Sequence, residues 1–226
     1  MKVFGAFISL VGVMLLGSVT FAATCPESVP APQYQVGDRF VWEYTNSGEK
    51  VWEVTGINGG LTEIKWSDPD ARLARDNAGT YFLDRDWVIT KGLDKQGNVV
   101  MSPKPSYLTN AFTLVGKKLL DFPLHLGKAW DVSFMGIYSY SAIKPFYLSV
   151  KVVGCEEVAT RAGTFQAVKI AGTLTDGANT GWRPMYLWYS PAAKNIIQYR
   201  TGQCVPMDWC SARAQQEFDL IKLELK

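Results

Sequence analysis

The chain has 226 residues, 47% hydrophobic and 13% aromatic with eight Trp, and a formal net charge of +2. That much apolar side chain can supply a core, and near-neutrality removes the electrostatic basis for binding nucleic acid. The length suits one domain, and a β domain of this size usually forms a single unit.

Residues 1–22, "MKVFGAFISLVGVMLLGSVTFA", have the layout of a secretory signal peptide: Lys2, an apolar run from Val3 to Leu16, then small and polar residues. Cleavage after Ala22 puts Thr20 and Ala22 at the two positions that must be small, whereas cleavage after Ala23 would put Phe21 in one of them. Thr24 stands before Cys25 where a lipidation signal wants Gly, Ala or Ser. No later stretch reaches the roughly 18 apolar residues of a membrane span. Residues 23–226 are therefore expected to form a single exported domain, periplasmic or secreted, with no transmembrane segment. Removing Lys2 from the 23 basic residues leaves 22 against 21 acidic ones, a balance of +1.

Export makes disulfides the default state of Cys25, Cys155, Cys204 and Cys210, and four cysteines allow three connectivities. Cys204 and Cys210 flank the short "VPMDW", which suits a closed loop, and Cys25 with Cys155 follows by elimination. The long-range bond would tie the Pro-rich arm "CPESVPAPQYQ" to the middle of the domain. A metal site is not expected, because the chain has a single His and no close Cys spacing.

From Asp38 on, β-branched and aromatic residues recur in short runs punctuated by Gly, Asn, Asp and Pro, so the chain reads as mainly β. "RFVWEYT" (39–45), "KVWEVTGI" (50–57) and "LTEIKWS" (61–67) form a meander, the last two joined by "NGG", a hairpin signal because those residues accept positive φ. "GTYFLDR" (79–85), "WVITKGL" (87–93) and a short "VVM" (99–101) follow. Residues 102–121 are a connection that can hold a short helix or a strand. Then come "AWDVSFMGIYSY" (129–140), "FYLSVKVVG" (146–154), "TFQAVKIAGTL" (164–174), "RPMYLWYS" (183–190), "NIIQYRT" (195–201) and "EFDLIKLEL" (217–225). About eleven strands are too many for one flat sheet, so a curled antiparallel sheet, open barrel or two-layer sandwich is expected. "YQVGDRFVWEY" and "LHLGKAWDVSF" echo one another, a likeness that common turn chemistry explains as well as repetition does.

Within "EEVATRAGTFQAVKIAG" (156–172) the chain turns at "TRAG", and Gly163 is needed there at positive φ. "AGTFQAVKI", followed by "LWYSPAAKNIIQYR", resembles a signature of poorly characterised bacterial exported proteins and lipoproteins, often led by a pattern like Leu124, Gly127 and Trp130. The resemblance covers roughly residues 122–200. Arg161 stands where that pattern usually has proline, and Asn195 near a usual glycine. It implies an antiparallel, open-barrel or sandwich-like domain outside the cytoplasm and says nothing of activity.

Residues that could do chemistry are sparse. His125 in "FPLHLGK" reads as a surface or structural imidazole, which leaves no Ser or Cys a supported base. "SAIK", Ser141 to Lys144, has Ser-x-x-Lys spacing but lies among strands rather than at a helix start. Asp84 and Asp86 share a strand parity and could pair as acid and base, though a solvated strand end is the plainer reading; Asp68 with Asp70, and Glu156 with Glu157, are the other carboxylate pairs. "SDPDARLARDNAG" lacks the spacing of a calcium cage. No catalytic residue, metal or cofactor is assigned, and a non-enzymatic role is favoured.

The aromatics are the one unusual abundance. In "GWRPMYLWYS" the rings of Trp182, Tyr186 and Trp188 share a parity and would project from one face, the candidate ligand surface. The favoured reading is a cell-envelope or secreted β domain that binds an apolar ligand or a partner protein in a concave face. The alternatives are a carbohydrate-binding module using exposed aromatics and a hydrolase using paired carboxylates.

Overall fold

The computed structural model describes residues 24–45, 47–67, 78–100, 116–139, 142–176, 182–203 and 217–226. The leader at 1–22, Asp68, Asp70, Ser141 and the Cys204 and Cys210 pairing lie outside them. Among the described residues there is no helix; the chain is all antiparallel β.

One sheet takes every strand: β1 (Arg39–Tyr44), β2 (Gly48–Asn58), β3 (Leu61–Ser67), β4 (Ala78–Leu83), β5 (Ile89–Asp94), β6 (Val99–Val100), β7 (Ala129–Ser139), β8 (Ala142–Thr160), β9 (Gly163–Asp176), β10 (Trp182–Ser190), β11 (Asn195–Thr201) and β12 (Phe218–Glu224). Eleven of these have six residues or more, and β6 is a two-residue edge. The spatial order is β6-β5-β4-β3-β2-β1-β12-β11-β10-β9-β8-β7, so the sheet is not closed into a barrel. The chain meanders from β1 out to one edge, crosses to the other edge, and meanders back until β12 pairs with β1. Among the strands described, that last pairing joins the two ends of the domain, with Arg39 opposite Glu224 and Tyr44 opposite Phe218.

Period two decides which side chains make the core. In β8, Phe146, Leu148, Val150 and Val152 are buried while Tyr147, Ser149, Lys151 and Val153 are exposed. The inner face so defined continues through the register partners Ile170 and Leu187, and the same buried cluster takes in Leu220, Phe40, Val54 and Ile64. Gly172 sits where this packing leaves no room for a side chain: a Cβ there would lie 2.8 Å from Val150 Cγ1 and 3.0 Å from Met185 Cγ. Each fully buried large apolar side chain on this face contributes about 1.5–3 kcal/mol.

Two segments cover the inner face at the end where β1 begins. The arm ahead of β1 is tied by the Cys25–Cys155 disulfide, which spans 130 residues, and by paired amide bonds between Val29 and Leu124. Residues 116–128, coming from the edge-to-edge crossing, place Leu120 and Leu124 in the core with no exposure, and Gly127 and Lys128 exchange backbone bonds with Val152.

The arm is latched at Tyr34. Its hydroxyl accepts from Trp87 Nε1 at 2.8 Å and donates to the Lys194 carbonyl at 3.1 Å. Trp87 (φ 64) and Lys194 (φ 57) are the non-glycine residues at positive φ among those described. Both strained positions thus meet one tyrosine, whose bonds help hold them there. Beside them the buried Asp38 carboxylate accepts from Lys194 Nζ at 2.8 Å and from the Gln35 and Lys226 amides, each at 2.9 Å. Burial pushes its pKa up, but those hydrogen bonds and the Lys194 charge outweigh it, holding Asp38 below its ordinary value.

Trp87 corrects one strand limit. The expected strand 87–93 begins at Ile89, because Asp84 Oδ1 accepts from the Asp86 and Val88 amides and folds residues 84–88 into a tight turn.

Candidate functional site

The sequence candidates Trp182, Tyr186 and Trp188 alternate along β10 with Arg183, Met185 and Leu187, and Trp188 belongs to the buried hydrophobic cluster while Tyr186 packs against it. Their register partners are Thr175, Ala171 and Lys169. Trp182 is 44% exposed and Trp188 only 7%. Trp188 Nε1 donates to Glu156 at 2.6 Å, Glu156 pairs with Lys169 at 3.1 Å, and Lys169 Nζ stands 5.1 Å from the Trp188 ring centre and 5.9 Å from that of Tyr186. The Trp188 bond is the chief reason Glu156 stays below the ordinary glutamate range, opposed by partial burial and aided by Lys169. Carboxylate, ammonium and indole here satisfy one another, a charged surface cluster with Trp182 at its outer end.

The carboxylates weighed for catalysis are placed differently from an acid–base pair. Asp84 is engaged by its own turn, and Asp86 points toward Lys118 at 3.7 Å. His125 is exposed, with Nδ1 3.3 Å from the Leu126 carbonyl. No group of three or more His, Cys, Asp or Glu positioned to hold a metal occurs among the described residues.

A larger aromatic array lies on the inner face, toward the end where β1 finishes. Six adjacent strands each contribute a ring: Tyr81 from β4, Trp66 from β3, Trp52 from β2, Trp42 from β1, Phe218 from β12 and Tyr199 from β11. Register explains it, because Trp52 faces Phe40 and Trp66, Tyr44 faces Phe218, and Phe218 faces Tyr199. Successive ring centres are 5.8 Å apart for Trp66 and Tyr81, 6.3 Å for Tyr81 and Trp52, 5.2 Å for Trp52 and Trp42, 6.4 Å for Trp42 and Phe218, and 5.5 Å for Phe218 and Tyr199. Such contacts add about 0.5–1.5 kcal/mol each beyond area burial.

Trp42 is buried and anchors the row by donating from Nε1 to the Ile196 carbonyl at 2.8 Å. The other five rings, and Tyr44 beside them, are only half-buried. Gly79 makes room for the Trp66 indole: a Cβ there would lie 2.7 Å from Trp66 Nε1 and 2.4 Å from the Leu93 carbonyl. Burial pushes the Tyr199 phenol up to about 12 against the pull of the Arg183 charge, and desolvation raises Tyr81 as well. Both stay neutral at physiological pH, so the row presents apolar ring surface.

The sequence reading missed this array although half its signal was visible. Phe40, Trp42 and Tyr44 alternate within one strand, as do Lys50, Trp52 and Val54. Assembling them across six strands needs the β1–β12 pairing, which no local pattern announces.

Comparison with protein-family models and with curated proteins finds no match. Among solved structures, a protein of Bacteroides fragilis described as exported and as having a YmcC-like fold is similar at 15% identity, covering 88% of this chain and 100% of its own, with a TM-score of 0.37. A protein of Parabacteroides distasonis described as a lipoprotein shares 13% identity over 87% of this chain and 97% of its own, TM-score 0.38. The hypothetical lipoprotein YmcC of Escherichia coli shares 11% identity over 87% and 90%, TM-score 0.43. Likeness at this level says nothing about what the chain binds or does. No helix among the described residues is long and apolar enough to cross a membrane.

Proposed function

We propose that this is a non-enzymatic binding domain of the cell envelope or of the secreted fraction, and that it takes an apolar ligand against the inner-face aromatic row. The half-burial of five of the six rings, three on one side of the buried Trp42 and two on the other, carries the reading. A sheet face that served only as core would withdraw those rings from water as completely as it withdraws Phe40, Ile64 and Leu220, each at 0% exposure. Rings left partly accessible on either side of Trp42 offer flat apolar area with few polar groups, the usual lining of a small-molecule site. The exported location rests on the leader-like residues 1–22.

A neutral fluorescent probe such as N-phenyl-1-naphthylamine tests the reading. It should bind saturably with enhanced emission, and Trp52→Ala should weaken binding by about tenfold, the equivalent of 1.4 kcal/mol, in a protein that still unfolds cooperatively. Wild-type protein that leaves the emission unchanged would remove the basis for an apolar site. The outer face supports a second reading through the exposure of Trp182, a ring accessible enough to stack on a sugar. Retention on a polysaccharide column that Trp182→Ala abolishes would favour that face instead.

A further inference from the structure

The outer face of the sheet changes character between its two halves. On β12, β1, β2 and β3 one register row reads Glu224, Arg39, Glu53 and Lys65, alternating charges, the last three each next to a buried residue of the inner face, Phe40, Val54 or Ile64. On β7, β8, β9 and β10 one row reads Ser133, Tyr147, Thr175 and Trp182, and the next reads Asp131, Ser149, Thr173 and Pro184. In these two rows only Asp131, on the edge strand β7, is charged. Tyr147 sits between the buried Phe146 and Leu148 and is 48% exposed, and Trp182 stands beside the buried Arg183 and is 44% exposed. The two rings flank Thr175, which is register-paired with each of them. With neighbouring strands about 4.8 Å apart, rings on alternate strands of one row stand about 10 Å apart.

From this placement we infer that the outer face of β8, β9 and β10 binds an uncharged, β-linked glycan in extended form, with two of its sugar rings stacked on Tyr147 and Trp182. The inference rests on the outer-face reading above, specifies its glycan, and is independent of the inner row. A single exposed ring is ordinary surface, but two in one register row, with hydroxyls between and beside them, match a sugar chain in both of its chemistries. Each sugar ring lays its C–H face on an aromatic ring and turns its hydroxyls to polar neighbours. The scarcity of charge in these rows complements a neutral polyol, which needs no counter-ion and strips no ionised group of water. In an extended β-linked chain each sugar is turned over relative to the last, so every second sugar repeats its orientation after a length close to the spacing of Tyr147 and Trp182. The sugar between them lies over Thr175, whose Oγ1 donates to the Tyr147 carbonyl at 3.5 Å and keeps its lone pairs for a sugar hydroxyl. Ser149 and Thr173 in the next row supply further hydroxyls along the chain. An α-linked glucan coils and does not lie along both rings.

Titration calorimetry with cellohexaose, chitohexaose and maltohexaose tests this, the first two being extended and β-linked and the third α-linked and coiled. Wild-type protein should bind at least one of the extended hexasaccharides about tenfold more tightly than maltohexaose. Tyr147→Ala and Trp182→Ala should each weaken that binding about tenfold while leaving the urea midpoint and the affinity for the neutral fluorescent probe unchanged, and Trp52→Ala should leave glycan binding intact. Maltohexaose bound as tightly as the extended chains, and lost in Trp182→Ala, overturns the extended-chain assignment and leaves a sugar-binding face standing. Absence of binding to all three removes both. Binding that survives either ring variant, or that Trp52→Ala abolishes, places the glycan elsewhere and also overturns the inference. Should one of the two ring variants fold poorly, the other decides, because the inference requires both rings.

Discussion

Asp38 concentrates the polar energetics of the fold in one side chain. Removing its charge in Asp38→Asn leaves Lys194 without its carboxylate and should cost about 2 kcal/mol, the scale of a hydrogen bond to a charged group. The pH dependence has a definite sign. A carboxylate whose folded pKa lies below its unfolded value near 3.9 contributes stability that is complete above that value and is lost as pH falls through the folded pKa. Wild-type protein should therefore lose denaturant resistance below about pH 4 more steeply than Asp38→Asn, read from urea midpoints at successive pH values. Parallel slopes would remove Asp38 from the account. Gly163 is a second single-residue case, at φ 139 where β9 begins after the turn from β8. A Cβ there meets only the Phe165 ring, at an ordinary 3.6 Å, so any penalty comes from the backbone. Gly163→Val should lower stability by about 1 kcal/mol or more, and an unchanged midpoint would mean that the turn accepts a β-branched residue.

Strands and the covering arm are where the local sequence was most informative and where it stopped. The β1–β2–β3 meander and the β8–β9 hairpin were legible because period two and turn glycines act over a few residues. The turn around Trp87 was not, because it depends on Asp84 bonding two amides and on Tyr34, 53 residues away, accepting from the indole. The arm itself has almost no strand pairing, so its order depends on its tethers. Cys25→Ser with Cys155→Ser should cost about 2–5 kcal/mol, the usual range for a native disulfide in an exported domain, measured as a fall in denaturant midpoint. No fall would show that Val29, Tyr34 and Asp38 suffice to hold the arm. On β10, Trp188→Ala should destabilise the domain, since the ring is nearly buried and bonded to Glu156, while leaving probe affinity intact.

At the level of the whole molecule, the all-β class was readable from residue patterning, and the strand count left a curled sheet, an open barrel and a two-layer sandwich as alternatives, but the aromatic row was not readable. Its rings come from residues 42 to 218, and they become neighbours only when the returning meander lays β12 against β1. The trio on β10 was visible because it lies in one short stretch, and the inner row was hidden because it is spread over six. Quenching of tryptophan emission by a brominated alkyl alcohol tests the central claim most directly, since bromine quenches only rings it touches. Binding across the inner row should give quenching that falls sharply in Trp52→Phe with Trp66→Phe, leaving only what the buried Trp42 contributes, and that is unchanged in Trp188→Phe. Quenching undiminished in the double variant, or abolished by Trp188→Phe, would place the ligand elsewhere.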